Sequence, residues 1–342
     1  MERFQEIQDI DYLYASTRIR SLERSLMTTE RLRRMAEAKT DDELLKVLEE
    51  CGYGEIGSLS QVPAAVAQKR AEILDDMLKM APDKTVVQIF LLKYDYHNLK
   101  AILKGEAAKT EYESTLMEGG RIPLKKMIAS VSSAVIGLDG ELTVTMKHAA
   151  NEAREVLART GDPRLSDTVL DRAAFAEMME LAQESQRGHK AKNDFLIEYV
   201  KLQIDSINMR TAVRLKRMNQ DSALISKYFI EGGNIPLSSL RVEITPESLI
   251  SIFETSPLKE AAHSAADALR EGRGLALVDT QVENALLNYL KNAKYMPFGE
   301  MHIIAYIAAR ETEFTAINMV LAARKAGLSP EEIMERLRET YV

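Results

Sequence analysis

The chain repeats itself three times at intervals close to 110 residues. The clearest pair is Glu118-Gly119-Gly120-Arg121-Ile122-Pro123-Leu124 and Glu231-Gly232-Gly233-Asn234-Ile235-Pro236-Leu237, which lie 113 residues apart and differ at one position. Upstream of each is an apolar stretch carrying acid-x-x-Asn-apolar-base: Asp95, Asn98, Leu99 and Lys100 in the first copy, Asp205, Asn208, Met209 and Arg210 in the second. A third copy, Glu313, Ala316, Ile317 and Asn318, keeps the acid and the apolar position and loses the Asn and the base. Aligning Thr315-x-x-Asn318 on its Asn would move this copy by two residues. The acid-anchored register instead sets Ile102, Ala212 and Val320 in one column and Leu103, Val213 and Leu321 in the next. Solenoid units of about 20 to 50 residues cannot bury a core alone, whereas a unit of this length can. Three related domains are therefore expected, over 1–115, 116–228 and 229–342.

Helix formers dominate. Of 342 residues 46% are hydrophobic, aromatics are only 6%, tryptophan is absent, and no alternating strand pattern interrupts the Leu, Ala, Met, Glu, Lys and Arg content. An all-α fold follows. Lys and Arg total 45 against 52 acids, giving a net charge of −7 with both signs dispersed, which argues against a nucleic-acid surface. The single cysteine, Cys51, excludes an intramolecular disulfide and a thiolate zinc cluster and points to a reducing cytoplasmic setting. Met1-Glu2-Arg3-Phe4-Gln5-Glu6 opens no secretory signal, and the apolar run Ile303–Ala309 is far shorter than the roughly 20 residues of a membrane span. Membrane association is expected only through a partner.

The local signals place the helices. Tyr12, Ala15, Ile19 and Leu22 recur at helical spacing, and Thr40-Asp41-Asp42-Glu43 reads as a capping box opening a helix over 41–50. Pro63 suits the start of a helix running to Met80. Long helices are expected over 84–104, 194–218 and 301–326, and they carry the repeated acids. Thr245-Pro246 and Ser329-Pro330 mark further helix starts, the Gly-Gly pairs mark chain reversals, and 157–166 and 270–277 read as flexible segments.

Little in the sequence carries chemistry. His97, His148, His189, His263 and His302 never adopt zinc-ligand spacing, and no phosphate-binding glycine loop exists. Gly272-Arg273-Gly274 reads as a hinge, Asp75-Asp76-Met77-Leu78-Lys79 as a solvated face that only half matches an Asp-rich diphosphate motif, and Cys51 as an inert thiol. The sixteen methionines read as core filler, with some suited to adaptable contacts. The remaining candidates are Asp95, Asn98, Lys100, Asp205, Asn208, Arg210 and Glu313. They form either an internal polar network joining the long helices or a polar wall facing a partner. No catalytic, cofactor or metal residues are assigned.

Several blocks together resemble one family. They are Tyr12-x-x-Ala15-x-x-Arg18, Tyr94-Asp95-Tyr96-His97-Asn98-Leu99-Lys100, both Gly-Gly-x-Ile-Pro-Leu segments, Pro297-Phe298-Gly299, Ala305-Tyr306, Ala309-Arg310-Glu311-x-Glu313, Leu328-Ser329-Pro330-Glu331-Glu332-Ile333 and Tyr341-Val342. In order and spacing the chain resembles the C subunits of the bacterial and archaeal V-type (A-type) ATPases, the counterparts of the d subunit of the eukaryotic V-ATPase. It departs from the family pattern at Ala316 and Asn318, where Asn and Arg are usual. The resemblance implies an all-helical funnel of three similar domains with pseudo-threefold symmetry. It also implies a non-catalytic rotor socket, cytoplasmic and peripheral to the membrane, that joins the central-stalk subunits to the proteolipid ring and couples ATP turnover to H+ or Na+ transport. No cofactor, nucleic acid or small-molecule substrate is implied. The competing readings are an unrelated helical interaction scaffold and, further off, a prenyl-diphosphate enzyme.

Overall fold

The computed structural model describes residues 6–133, 135–190, 193–272 and 274–342. The expectations that rest on Met1 to Gln5 and on Arg273 lie outside the described residues. Among the described residues the only extended pairing is a single bridge between Ile7 and His189, and the fold is all-α. It divides into two compact units.

The first unit, Met1–Val87, His189–Ala191 and Ala276–Val342, is built around one long buried helix. Its N-terminal helices are α1 (Leu13–Leu22), α2 (Thr29–Glu37), α3 (Asp41–Glu50) and α4 (Val62–Met80). The second unit, Gln88–Gly188 and Lys192–Leu275, holds most of α5 (Thr85–Ala108), then α6 (Leu124–Ser132), α7 (Val144–Thr160), α8 (Pro163–Gly188) and α9 (Phe195–Arg217). It continues with α10 (Ser222–Ile225), α11 (Leu237–Leu240), α12 (Pro246–Phe253) and α13 (Lys259–Glu271). The chain then supplies α14 (Ala276–Lys291), α15 (Met301–Lys325) and α16 (Pro330–Arg336) to the first unit.

Every residue from Met301 to Arg310 is buried, so α15 has no solvent face there. It packs against α1, α2, α4, α14 and α16. In the second unit, α7 with α8 and α12 with α13 form the tightest helix pairs, and α9 contacts both α8 and α13.

The local chemistry accounts for most helix ends. Thr245 and Ser329 cap α12 and α16 with Pro in the first turn, and each sits in a reciprocal capping box. Thr40 caps α3 by accepting the Glu43 amide at 3.2 Å, but the Glu43 carboxylate returns to the Lys39 amide at 2.7 Å, one residue before the expected Thr40. The segment 157–166 is not an open loop. Gly161 sits in the left-handed region at φ 68°, Pro163 starts α8 at once, and the Ser166 hydroxyl bonds the Ala153 carbonyl at 3.0 Å. Gly272 ends α13 in the same left-handed way at φ 68°.

The first long helix runs past its expected end at Lys104 to Ala108, with Gly105 inside it. Glycine is required there because a β-carbon would collide with Cβ, Cγ and Cδ1 of Tyr112. Alanine in a helix interior is ordinarily favoured over glycine by about 1 kcal/mol. At position 105 we expect the opposite sign, with Gly105→Ala destabilising by about 1 to 3 kcal/mol through overpacking. Chemical denaturation measures it, and a stabilised variant would contradict the packing described.

Candidate functional site

The candidate residues are carried by the three long helices, α5, α9 and α15. Each acid faces a loop whose backbone amides need acceptors. On α5, Asp95 is fully buried; its Oδ1 accepts the Ile122 amide at 3.2 Å, and its Oδ2 accepts the Arg121 amide and Arg121 Nε, both at 3.2 Å. Arg121 continues to Glu177 Oε1 at 2.7 Å, and Glu177 Oε2 accepts the Tyr96 hydroxyl at 2.9 Å. One turn along, Asn98 forms a two-way pair with a single residue: its Nδ2 donates to the Met117 carbonyl and its Oδ1 accepts the Met117 amide, both at 2.9 Å. Lys100, half-buried, pairs with Asp171, as Lys104 does with Asp167.

The second helix repeats this geometry. Asp205 Oδ2 accepts the Asn234 amide at 3.0 Å and Oδ1 the Ile235 amide at 3.1 Å. Asn208 pairs with both backbone groups of Ile230 at 2.8 Å. Arg210 lies half-buried farther along the same helix. Asn234 fills the position of Arg121 and turns its own amide group to Glu198 at 3.0 Å.

The glycine pairs have two separate duties. Gly119 and Gly232 take φ of 105° and 99°, which side chains resist. Gly120 and Gly233 have no such φ. There a β-carbon would fall onto Oδ1 of Asp95 or Asp205, so the second glycine is what admits the carboxylate to the loop. Turn propensity alone assigns both glycines to the chain reversal and misses this second duty.

On α15 the acid is longer and its partners differ. Glu313 Oε2 accepts the Met27 amide at 2.7 Å, while Oε1 accepts the Tyr53 hydroxyl and Arg310 Nη1, the latter at 2.7 Å. Arg310, almost wholly buried, donates further to the Tyr306 hydroxyl at 3.0 Å and to Ser25 Oγ at 2.6 Å. Ala316 is half-buried and Asn318 exposed. Arg310, Tyr53 and Tyr306 are site residues that the sequence reading misses. The available signal was a charge pair at i, i+3 inside an otherwise apolar run.

The acids are charge-balanced unequally. Burial raises the Asp95 carboxyl above its usual range despite two amides and the Arg121 guanidinium. Asp205 has amides but, among the described residues, no cation in hydrogen-bond contact, and burial pushes it up to about 6. Other expected features have quiet surroundings: Asp75 pairs with Lys79 on an exposed face, and the buried Cys51 thiol is pushed up to about 11. Among the described residues no group of three or more His, Cys, Asp or Glu is placed to hold a metal, and no helix is long and apolar enough to cross a membrane.

Against known proteins, residues 15–336 match the family described as ATP synthase (C/AC39) subunit. The A-type ATP synthase C subunit of Haloferax volcanii is 25% identical, over 95% of this chain and 96% of its own length. The V-type sodium ATPase C subunit of Enterococcus hirae is 21% identical, over 97% of this chain and 99% of its own. For the A-type ATP synthase C subunit of Methanocaldococcus jannaschii the figures are 24%, 95% and 86%.

The Asp205 environment has a measurable signature. A carboxyl whose folded pKa is raised contributes its full share of stability below the unfolded value near 4, and loses it as the pH rises through the folded value of about 6. Asp205→Asn has no such titration. The wild-type unfolding free energy should therefore fall relative to that of Asp205→Asn between about pH 4 and 6, by up to about 3 kcal/mol, and the difference should be level above that. Urea melts across this pH range report it, and a level difference throughout would refute the desolvated carboxyl.

Proposed function

The chain belongs to the family of ATP synthase (C/AC39) subunits, and from that premise we propose that it is the rotor socket of an A- or V-type complex. In this reading it seats the central stalk on the membrane rotor ring and carries torque between ATP turnover and H+ or Na+ movement. The family match along nearly the whole chain is the observation that carries it, supported by relatives named as C subunits of both A-type and V-type complexes. The three copies, 1–115, 116–228 and 229–342, act as three domains of one coupling part, held at the membrane surface by its partners. An unrelated scaffold would not explain a family match of this extent.

The part does no chemistry of its own. Asp95, Asp205 and Glu313 are the acids a catalytic reading would call on, and all three are engaged by backbone amides in the core. Their role, with Asn98 and Asn208, is to fix loops onto long helices. Lys100 and Arg210 lie on the same helices and support the network's edges. A torque-bearing part has to resist deformation, and long helices packed at interior density do so.

Two measurements test this. Affinity purification of the protein from detergent-solubilised membranes should recover central-stalk and rotor-ring subunits, with ATP-driven ion transport lost when the protein is withdrawn. Recovery of neither class of partner would overturn the socket. The double variant Asp95→Ala/Asp205→Ala should melt several degrees lower yet bind the isolated stalk with unchanged affinity. Weakened binding at unchanged stability would instead assign these acids to the partner surface.

A further inference from the structure

Three short helices, α2, α6 and α11, begin in one way. Their N-caps are Thr28, Pro123 and Pro236, and the residues just before are Met27, Ile122 and Ile235. Each of these three has its amide bonded to the acid of a long helix: Glu313 at 2.7 Å, Asp95 at 3.2 Å and Asp205 at 3.1 Å. Four residues after the caps stand Leu32, Met127 and Leu240, all buried, which completes the apolar pair that fixes a helix's entry angle. The three entries are the same local structure.

The far ends of α2 and α6 are held as well. Eleven residues beyond each acid stand Glu106, Lys216 and Arg324. Eleven residues make about three turns, so each pair lies on one helix face roughly 16 Å apart. Arg324 Nη1 donates to the carbonyls of Met35, Ala36 and Ala38 at 3.2, 3.0 and 2.7 Å, closing the end of α2. At the corresponding end of α6, Glu106 accepts the Ser132 hydroxyl and holds Arg154, which donates to the Val131 and Ser133 carbonyls. Lys216 meets only the exposed Glu243 side chain at 3.4 Å, past the end of α11, and does not close that helix. Counted from the clamped amide, Ala36 and Ala38 occupy the positions of Val131 and Ser133.

In α5 and α9 the acid's grip reaches forward, to amides 27 and 30 residues later in the chain. In α15 it reaches back 286 residues. We infer that Glu313 and Arg324 together clasp α2, near the start of the first copy, to the long helix of the third, and that α2 is released as a unit when this clasp opens. The first two grips join neighbours linked by short loops. The clasp joins segments with no nearby covalent link, so α2 is the short helix whose release costs no loop strain.

The third motif meets a different entry. Asn98 and Asn208 satisfy the backbone of Met117 and Ile230, each five residues before its clamped amide. Five residues before Met27 is Leu22, in the last turn of α1, where its amide is bonded within the helix and its carbonyl accepts Ser25 Oγ at 2.8 Å. Both groups are served locally. With Ala316 at this position neither backbone group of Leu22 is left without a partner, and Arg310 balances the acid from the other side.

The clasp is a property of the chain by itself and is independent of the rotor reading. Hydrogen exchange of the full-length protein tests it, with Arg324→Ala as the variant. We expect amides of residues 27–38 to exchange at least tenfold faster in Arg324→Ala, with residues 117–132 and 230–240 unchanged. Equal acceleration in all three segments, or none in 27–38, would overturn the clasp. The wild-type chain gives a second reading if the variant fails to fold. The Met27 amide should then be protected to the same order as those of Ile122 and Ile235, and exchange of Met27 at the unprotected rate would overturn the proposal.

Discussion

Everything in this architecture depends on carboxylates placed inside a helical core to receive the amides of a loop. A buried carboxylate is costly, by several kcal/mol even after the protein relaxes, and it persists only where donors surround it. Loop amides just ahead of a helix are equally in need, since a buried backbone N–H outside regular structure is costly without an acceptor. The two deficits cancel. Each long helix thereby acquires a fixed address on a short one, because a carboxylate shifted by one residue would leave both sides unsatisfied.

The three sites solve the leftover charge differently. Asp95 borrows Arg121, which also serves Glu177. Glu313 has Arg310 on its own helix, three residues back, together with the Tyr53 hydroxyl. Among the described residues Asp205 has only amides within hydrogen-bond reach, because Asn234 replaces the arginine, and burial raises its carboxyl to about 6. One backbone device thus recurs in every copy within this chain while the counter-charge drifts.

The repeat itself, the all-helical fold and most helix limits were legible in the sequence, because caps, prolines and glycines act over four or five residues. Thr245-Pro246 and Ser329-Pro330 read correctly as helix starts for that reason. The acids were legible as candidates but their partners were not. Asp95 and Asn98, three residues apart, suggested a bond to each other or to a neighbouring helix, whereas both reach loop backbone about 20 to 27 residues away. Backbone amides carry no residue identity, so an acid that binds them leaves its mark only indirectly. Here the mark was the second glycine of each pair, which clears space for the carboxylate and which propensity alone assigns to a turn. The partner of Glu313 was still less visible, since Met27 lies 286 residues away and bears no glycine pair.

A single hydrogen bond fixes a point, and two fixed points on one helix face fix an axis. At α2 and α6 the acid and its i+11 partner hold the short helix at its entry and its exit, which opposes both sliding along the long helix and pivoting about the capped end. Apolar packing sets the crossing angle and distance of the two helices, and these directed bonds add a fixed register to it. The nine residues of α2 span about 13 Å, close to the reach of the Glu313–Arg324 bracket, so the length of the short helix and the spacing of the grip agree. Polar groups that contribute little net stability can for this reason decide how rigidly two elements move together, which is what the proposed rotor socket would require.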